Sequence, residues 1–264
     1  MSAPLCQIVD GYRSFGAVQA LAGVSLEIHP GELLGIVGPN GSGKTTLFNC
    51  VTGRFRLHKG RVLWSGTDIT RWPMDRIARV GLVRTFQQSM YFGSGTVRDN
   101  VIMALDIART AHRKHSEVSI PSDVEGLLDF TKLGPLAGTP SAVLSHGSLR
   151  RLGIALALAV KPALLLMDEP AAGLNDAESR DLGVLLRRVR DAGVTLAVVD
   201  HDMGFLMPLV DRIVVLSAGR KLTEGTPAEV RTDPVVIEAY LGTGFDHSAS
   251  GSATQGPSLE ESVG

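Results

Sequence analysis

This 264-residue chain has little cysteine, almost no net charge and no long apolar run, and each shortage removes a class of protein. Its two cysteines, Cys6 and Cys50, stand outside any metal-binding or C-x-x-C spacing. Neither a disulfide framework nor a zinc site is expected, and a reduced cytoplasmic setting with small buried thiols is the simplest account. The formal net charge of -1 argues against a general nucleic-acid or anionic-membrane surface. Local basic clusters at Arg84, Arg150-Arg151 and Arg187-Arg188 read as solvated helix faces. Met1-Ser2-Ala3-Pro4-Leu5 has neither the basic nor the apolar region of a secretory signal. No stretch approaches the ~20 apolar residues that cross a bilayer, so no membrane span is expected. The longest apolar run, Leu152 to Val160, is closed by Lys161-Pro162 and reads as a buried helix. No internal repeat is visible.

What the chain does have is an apolar content of 44%, enough for one large domain or one domain with an inserted lobe. Ile8 and Val9, then Val24, Leu26 and Ile28, alternate as half-buried strands do and stop at the turn His29-Pro30-Gly31. They predict a small antiparallel sheet near the N-terminus. Gly60 to Gly66 reads as a short strand and Met74 to Val80 as a helix; residues 88–160 are helix-dominated, with a polar link from His112 to Pro121. Three apolar strands follow, Ala163 to Met167, Val194 to Val199 and Arg212 to Leu216, with a helix from Ala177 to Ala192 between the first two. Such alternation predicts an α/β fold with a largely parallel sheet, whose loops gather at the strand C-terminal ends. Residues 246–264, Ser/Gly-rich and poor in large apolar groups, read as a disordered tail.

Residues 38–46, Gly38-Pro39-Asn40-Gly41-Ser42-Gly43-Lys44-Thr45-Thr46, form a complete G-x-x-x-x-G-K-[ST] phosphate loop. It lies between the strand-like Leu33 to Val37 and the helix-like Thr45 to Val51, the context its mechanism requires. The four fixed positions would match by chance in about one chain of this length in a hundred, before strand and helix are demanded. The loop therefore implies a bound nucleoside triphosphate. Glycines 38, 41 and 43 let successive N–H groups point inward at phosphate oxygens, and the helix N-terminus adds its dipole. Lys44 is expected to reach the β and γ phosphates, and the Thr45 hydroxyl to hold Mg²⁺.

The strand Leu164-Leu165-Leu166-Met167 ends in Asp168-Glu169-Pro170, at the sheet edge where the phosphate loop also sits. Alone, Asp-Glu-Pro would be a strand end with an acidic turn. Beside the loop, Asp168 becomes the candidate Mg²⁺ partner, directly or through water, and Glu169 the candidate general base or polariser of the attacking water. Asp200-His201-Asp202 closes the next strand likewise, placing His201 where it can meet the γ-phosphate and orient Glu169.

In this order, Gly38 to Thr46, Leu144-Ser145-His146-Gly147-Ser148, Met167-Asp168-Glu169-Pro170 and His201 resemble an ABC transporter ATPase over residues 5–244. The resemblance makes Leu144 to Ser148 the signature motif, Thr85-Phe86-Gln87 the glutamine loop, Ala172-Gly173-Leu174-Asn175 the D-loop and Phe15 the aromatic that stacks on adenine. It implies a P-loop core, an N-terminal antiparallel subdomain and a helical subdomain inserted at about 88–160. Within the family, Val83 to Gln87, Pro170 to Asn175, His201-Asp202-Met203 and the stretch from Glu224 to Gly242 are similar to ATPase subunits of branched-chain amino-acid importers and their urea and amide relatives.

The resemblance further implies a head-to-tail pair, identical or mixed, in which one subunit's signature completes the other's phosphate site. Ser145 and the Gly147 amide would bind the partner's γ-phosphate, at the start of a helix running from Leu149. Gln87 would sense Mg²⁺ or the attacking water, with Gln88 as a competing assignment. Met90, Tyr91 and Phe92 read either as core packing or as contact with a permease helix. Ser148, Leu149, Gly153 and Leu156 depart from the glutamines and charged residues usual in this motif and its helix. ATP and Mg²⁺ are the implied cofactors. Permease subunits, a second ATPase subunit and, indirectly, a solute-binding protein are the implied partners, on the inner face of the cell membrane. A soluble ATPase of the same family acting without a permease is the alternative.

Overall fold

The computed structural model describes residues 3–85, 91–110 and 118–241. The chain opens with the antiparallel pair β1 (Cys6–Phe15) and β2 (Val18–Ile28). It then enters β3 (Leu33–Val37), the phosphate loop and α1 (Lys44–Val51). β4 (Lys59–Trp64) and the two-residue β5 (Thr67–Asp68) return beside β1, giving a four-stranded sheet in the order β2-β1-β4-β5. The N-terminal antiparallel sheet is thus present as the alternation predicts.

The second sheet is built from strands apolar along their whole length. After α2 (Met74–Arg79) come β6 (Leu82–Thr85), α3 (Val97–Thr110), α4 (Val124–Phe130) and α5 (His146–Leu158). β7 (Leu164–Asp168), α6 (Asp176–Asp191), β8 (Thr195–Val199), α7 (Met203–Leu206), β9 (Arg212–Ser217) and β10 (Arg220–Gly225) follow, and α8 (Pro227–Thr232) and α9 (Pro234–Leu241) end the described chain. The sheet order is β10-β9-β3-β8-β7-β6, parallel except for β10, which pairs antiparallel with β9. Every residue of β3, β7 and β8 is buried, as a sheet covered on both faces demands.

Strand alternation divides these side chains between two cores. Leu34, Ile36, Leu164, Leu166, Ala197 and Val199 face a core shared with α1 and the antiparallel sheet, through Phe48, Ile8 and Leu26. Leu33, Val37, Leu165, Met167, Leu196 and Val198 face the other core, filled by α5 and α6 through Leu152, Leu158, Leu182 and Leu186. β6 and β7 are direct neighbours, yet α3, α4 and α5 lie between them in the chain. The helical subdomain is therefore an insertion into one parallel crossover.

Several sequence expectations are corrected. The signature helix begins at His146, with Ser145 as N-cap, not at Leu149. Strands β6 and β10 carry arginine, lysine and glutamate among few apolar residues, so no apolar run marked them. The basic clusters are not simply solvated helix faces. Arg84 lies on β6 with its side chain 8% exposed, Arg151 pairs with Asp181 at 2.9 Å, and Arg188 bonds the Phe130 carbonyl at 3.0 Å while lying over its ring. A guanidinium's planar fork can satisfy buried oxygens, which charge counting overlooks.

Cys6 and Cys50 are buried as expected, and burial pushes their thiols up to about 12 and about 11. Among the described residues no helix is long and apolar enough to cross a membrane. Gln87, Gln88, Met90 and the predicted tail lie outside the described residues.

Phe48 is 1% exposed and ties α1 to the sheet face beneath it. Phe48→Ala is expected to lower unfolding free energy by about 3–5 kcal/mol, read as a fall in the urea midpoint.

Candidate functional site

The phosphate loop leaves the buried end of β3 and folds on its own backbone, with Ser42 N–H donating to the Pro39 carbonyl at 3.1 Å. Gly43 caps α1 at φ 104°, and a Cβ there would stand 2.4 Å from the Ala20 carbonyl oxygen. Only glycine fits both the dihedral and the space. A support unforeseen from sequence comes from the β9–β10 turn. Gly219 N–H donates to the Ser42 carbonyl at 3.1 Å, and the Gly219 carbonyl accepts from Ala22 N–H at 2.7 Å, so the turn is wedged between loop and β2. The Ser-Ala-Gly-Arg step after an apolar strand was the available signal for that turn.

Lys44 bends back over the loop. Its Nζ donates to the carbonyls of Gly38 at 2.6 Å and Pro39 at 3.0 Å, with the Ser42 hydroxyl at 3.5 Å. Burial pulls its ammonium below the ordinary lysine range, against the opposing charges of Glu169, Asp168 and Asp200. Those carboxylates therefore act on the same point. Asn40, Gly41 and Thr45 are exposed on the rim, while Pro39, Gly43 and Thr46 are half-buried.

The acidic edge follows from strand register. Asp168, the last residue of β7, pairs with Val199, the last of β8, so the two strands stop together. Asp168 is 4% exposed; its Oδ2 accepts from Arg84 Nη2 at 2.6 Å, while its Oδ1 is buried without a hydrogen-bond partner among the described residues. Glu169 adopts φ +46°, a left-handed conformation unusual outside glycine, held by its N–H donating to the Val199 carbonyl at 2.7 Å. This kink turns the chain sharply after Asp168 and leaves the Glu169 side chain 29% exposed.

Asp200 is fully buried, and its carboxylate accepts N–H groups from Ala171, His201 and Asp202. Burial raises its pKa and those bonds oppose the rise. Asp200 thereby ties the segment after Glu169 to His201, a role the sequence reading missed. His201 itself is exposed, its Nδ1 lying 3.9 Å from Glu169 Oε1 and 3.6 Å from Asp200 Oδ1. Glu169 and His201 are thus brought together, short of a hydrogen bond.

The other predicted residues lie apart from this cluster. Ser145 is exposed; its hydroxyl accepts from Ser148 N–H and meets the Ser148 hydroxyl, both at 3.2 Å. Gly147 is buried against Glu178, whose carboxylate a Cβ would approach to 2.7 Å. Glu178 belongs to the capping box that Asn175 forms at the start of α6, so signature and predicted D-loop are packed together. No described hydrogen bond or ion pair joins Ser145 or Gly147 to residues 38–46. Phe15 is 40% exposed at the end of β1, edge-on to Phe55 at 5.2 Å and under the Arg13 guanidinium at 4.7 Å. Tyr91 packs on the core, as the core-packing reading has it, whereas Phe92 is 56% exposed.

Comparison with known proteins places this geometry. The ABC transporter family pattern matches residues 21–172, and a pattern described as branched-chain amino acid ATP-binding cassette transporter matches residues 220–246. The chain is 36% identical to BraF of Pseudomonas aeruginosa, a high-affinity branched-chain amino acid transport ATP-binding protein, over 92% of this chain and 99% of the relative. The chain belongs to the ABC transporter ATPase family. LivG of Escherichia coli, named in the same words, is 35% identical over the same shares. The ABC ATP-binding cassette MJ1267 in its ADP conformation superposes with a TM-score of 0.80 at 29% identity, covering 91% of this chain and all of that one. A nucleotide-free cassette gives 0.77 at 28% identity, with 90% and 99% coverage. The α/β core and the ATPase activity follow from membership.

Gly41, at φ +78°, has no heavy atom within 4 Å of a built Cβ. Gly41→Ala should cost only backbone strain, about 1 kcal/mol, whereas Gly43→Ala meets a fixed carbonyl. Calorimetry should therefore show a clearly larger fall in Tm for Gly43→Ala than for Gly41→Ala.

Proposed function

We propose that this ABC ATPase energises uptake of a polar solute, a branched-chain amino acid or a related amino acid or amide, through separate membrane permease subunits. The convergence of Lys44, Asp168, Glu169 and His201 on one sheet edge carries the hydrolytic half of this reading. Membership beside BraF and LivG carries the transport half.

In the ATP-bound subunit, N–H groups of residues 38–46 and the α1 dipole hold the phosphates. Lys44 gives up its loop carbonyls to meet the β and γ oxygens. Phe15, backed by Phe55 and Arg13, offers its exposed ring to the adenine. Glu169 accepts a proton from, or polarises, the water that attacks the γ-phosphorus, and His201 orients both. Mg²⁺, when bound, offsets phosphate charge. Thr45, Asp168 and Gln87 are the residues to hold it, and the unpartnered Asp168 Oδ1 fits a metal or its water. A second subunit's Ser145 and Gly147 amide complete the γ-phosphate site, so ATP closes the pair and hydrolysis reopens it.

Glu169→Gln should bind ATP, lose at least ~99% of turnover and accumulate as a closed dimer, measured by phosphate release and gel filtration. Wild-type turnover would remove Glu169 from the mechanism. Lys44→Ala should instead weaken labelled-ATP binding at equilibrium. Co-purification from membranes with a polytopic partner tests the transport reading, and a chain recovered only free of membranes speaks against it.

A further inference from the structure

Arg84 occupies a position that the roles above leave unexplained. It is the third residue of β6, and its side chain is 8% exposed. Among the described residues its guanidinium reaches two elements. Nη2 donates to Asp168 Oδ2 at 2.6 Å at the end of β7, and Nη1 donates to Asn49 Oδ1 at 2.7 Å on α1. The group also lies 5.7 Å from the centre of the Phe48 ring, again on α1. Asn49 and Phe48 are themselves buried at 8% and 1% exposure. The planar fork therefore bridges the helix that begins at Lys44 to the strand that delivers Asp168.

The bond to Asp168 is one-sided. Oδ2 is taken by Arg84, while Oδ1 stays buried without a hydrogen-bond partner among the described residues. A buried carboxylate held through one oxygen is restricted in rotation, so its second oxygen has a preferred direction. Because the anchor also grips α1, that direction is set relative to the helix that carries Lys44 and Thr45. Two opposite charges this deeply buried are poor stabilisers compared with apolar packing, which leaves orientation as the reason for their presence.

We propose that Arg84 is a positioning residue for the divalent cation: by holding Asp168 Oδ2 and Asn49 together, it aims Asp168 Oδ1 at the Mg²⁺ site and keeps it in register with Thr45. The inference rests on the reading of Asp168 as a Mg²⁺ partner. Arg84 itself touches neither nucleotide nor metal.

The test separates metal affinity from nucleotide affinity. Binding of methylanthraniloyl-ATP to the full chain is measured in EDTA and then titrated with Mg²⁺, and Mn²⁺ is followed by EPR in the same samples. Arg84→Met should bind the nucleotide in EDTA as the parent does, but shift the Mg²⁺ midpoint upward by about 10–100-fold, the usual cost of removing a partner behind a metal ligand. Arg84→Lys keeps the charge and the fold but cannot span Asn49 and Asp168 together, so it should shift the midpoint less, in the same direction. Asp168→Asn should shift it too, and Arg84→Met/Asp168→Asn should match Asp168→Asn alone, because both act through one carboxylate. A parental Mg²⁺ midpoint in folded Arg84→Met or Arg84→Lys overturns the proposal, as does additivity in the double variant. A parental midpoint in Asp168→Asn instead overturns the role of Asp168. A merely structural Arg84 would lower Tm and leave the metal midpoint where it was.

Discussion

The common ending of parallel strands is the constraint on which this site depends. Backbone register sets β7 against β8 so that Asp168 lies opposite Val199 and the strands stop together. β3, on the other side of β8, feeds the phosphate loop at the same edge. Parallel strands twist and end as a group because each must return by a crossover on a covered face. Side chains from distant parts of the chain therefore meet without any loop having to reach for them. The two apolar cores keep that register, since a slip of one residue would turn every leucine of β7 to the wrong face.

Two left-handed residues flank the site's charged groups. Glu169 sits in a left-handed conformation immediately after Asp168, and Gly43 does so immediately before Lys44. The first is held by its N–H donating to the Val199 carbonyl, and the second leaves room for the Ala20 carbonyl that a Cβ would strike. Asp200 adds a buried carboxylate that gathers three N–H groups from the two turns beside it. Such an arrangement directs Glu169 and His201 outward from turns whose backbone is tied down by hydrogen bonds.

Much of this was legible in the residues. The phosphate loop, Asp168-Glu169 and His201 announce themselves because chemistry fixes their types and spacing, and continuous apolar runs announce β3, β7 and β8 because both sheet faces are buried. What stayed hidden was support rather than chemistry. Arg84 looked like surface charge because its partners, Asn49 and Asp168, are remote in sequence and become neighbours only through the sheet. The β9–β10 turn has a local signal in Ser217 to Arg220, but its supporting role was hidden for the same reason: its hydrogen bonds to Ser42 and Ala22 express tertiary proximity, not local pattern. The start of α5 was placed three residues late, at Leu149, because His146-Gly147-Ser148 contains no strong helix former, although Ser145 is a good N-cap.

The β9–β10 turn also makes the two sheets mechanically continuous. Through Gly219 the parallel sheet grips both the phosphate loop, at Ser42, and the antiparallel sheet, at Ala22. The exposed ring of Phe15 belongs to that second sheet, at the far end of the strand paired with β2. A tilt of the antiparallel sheet must then drag the loop with it or break those two bonds, so the spacing between Phe15 and residues 38–46 is set through one turn.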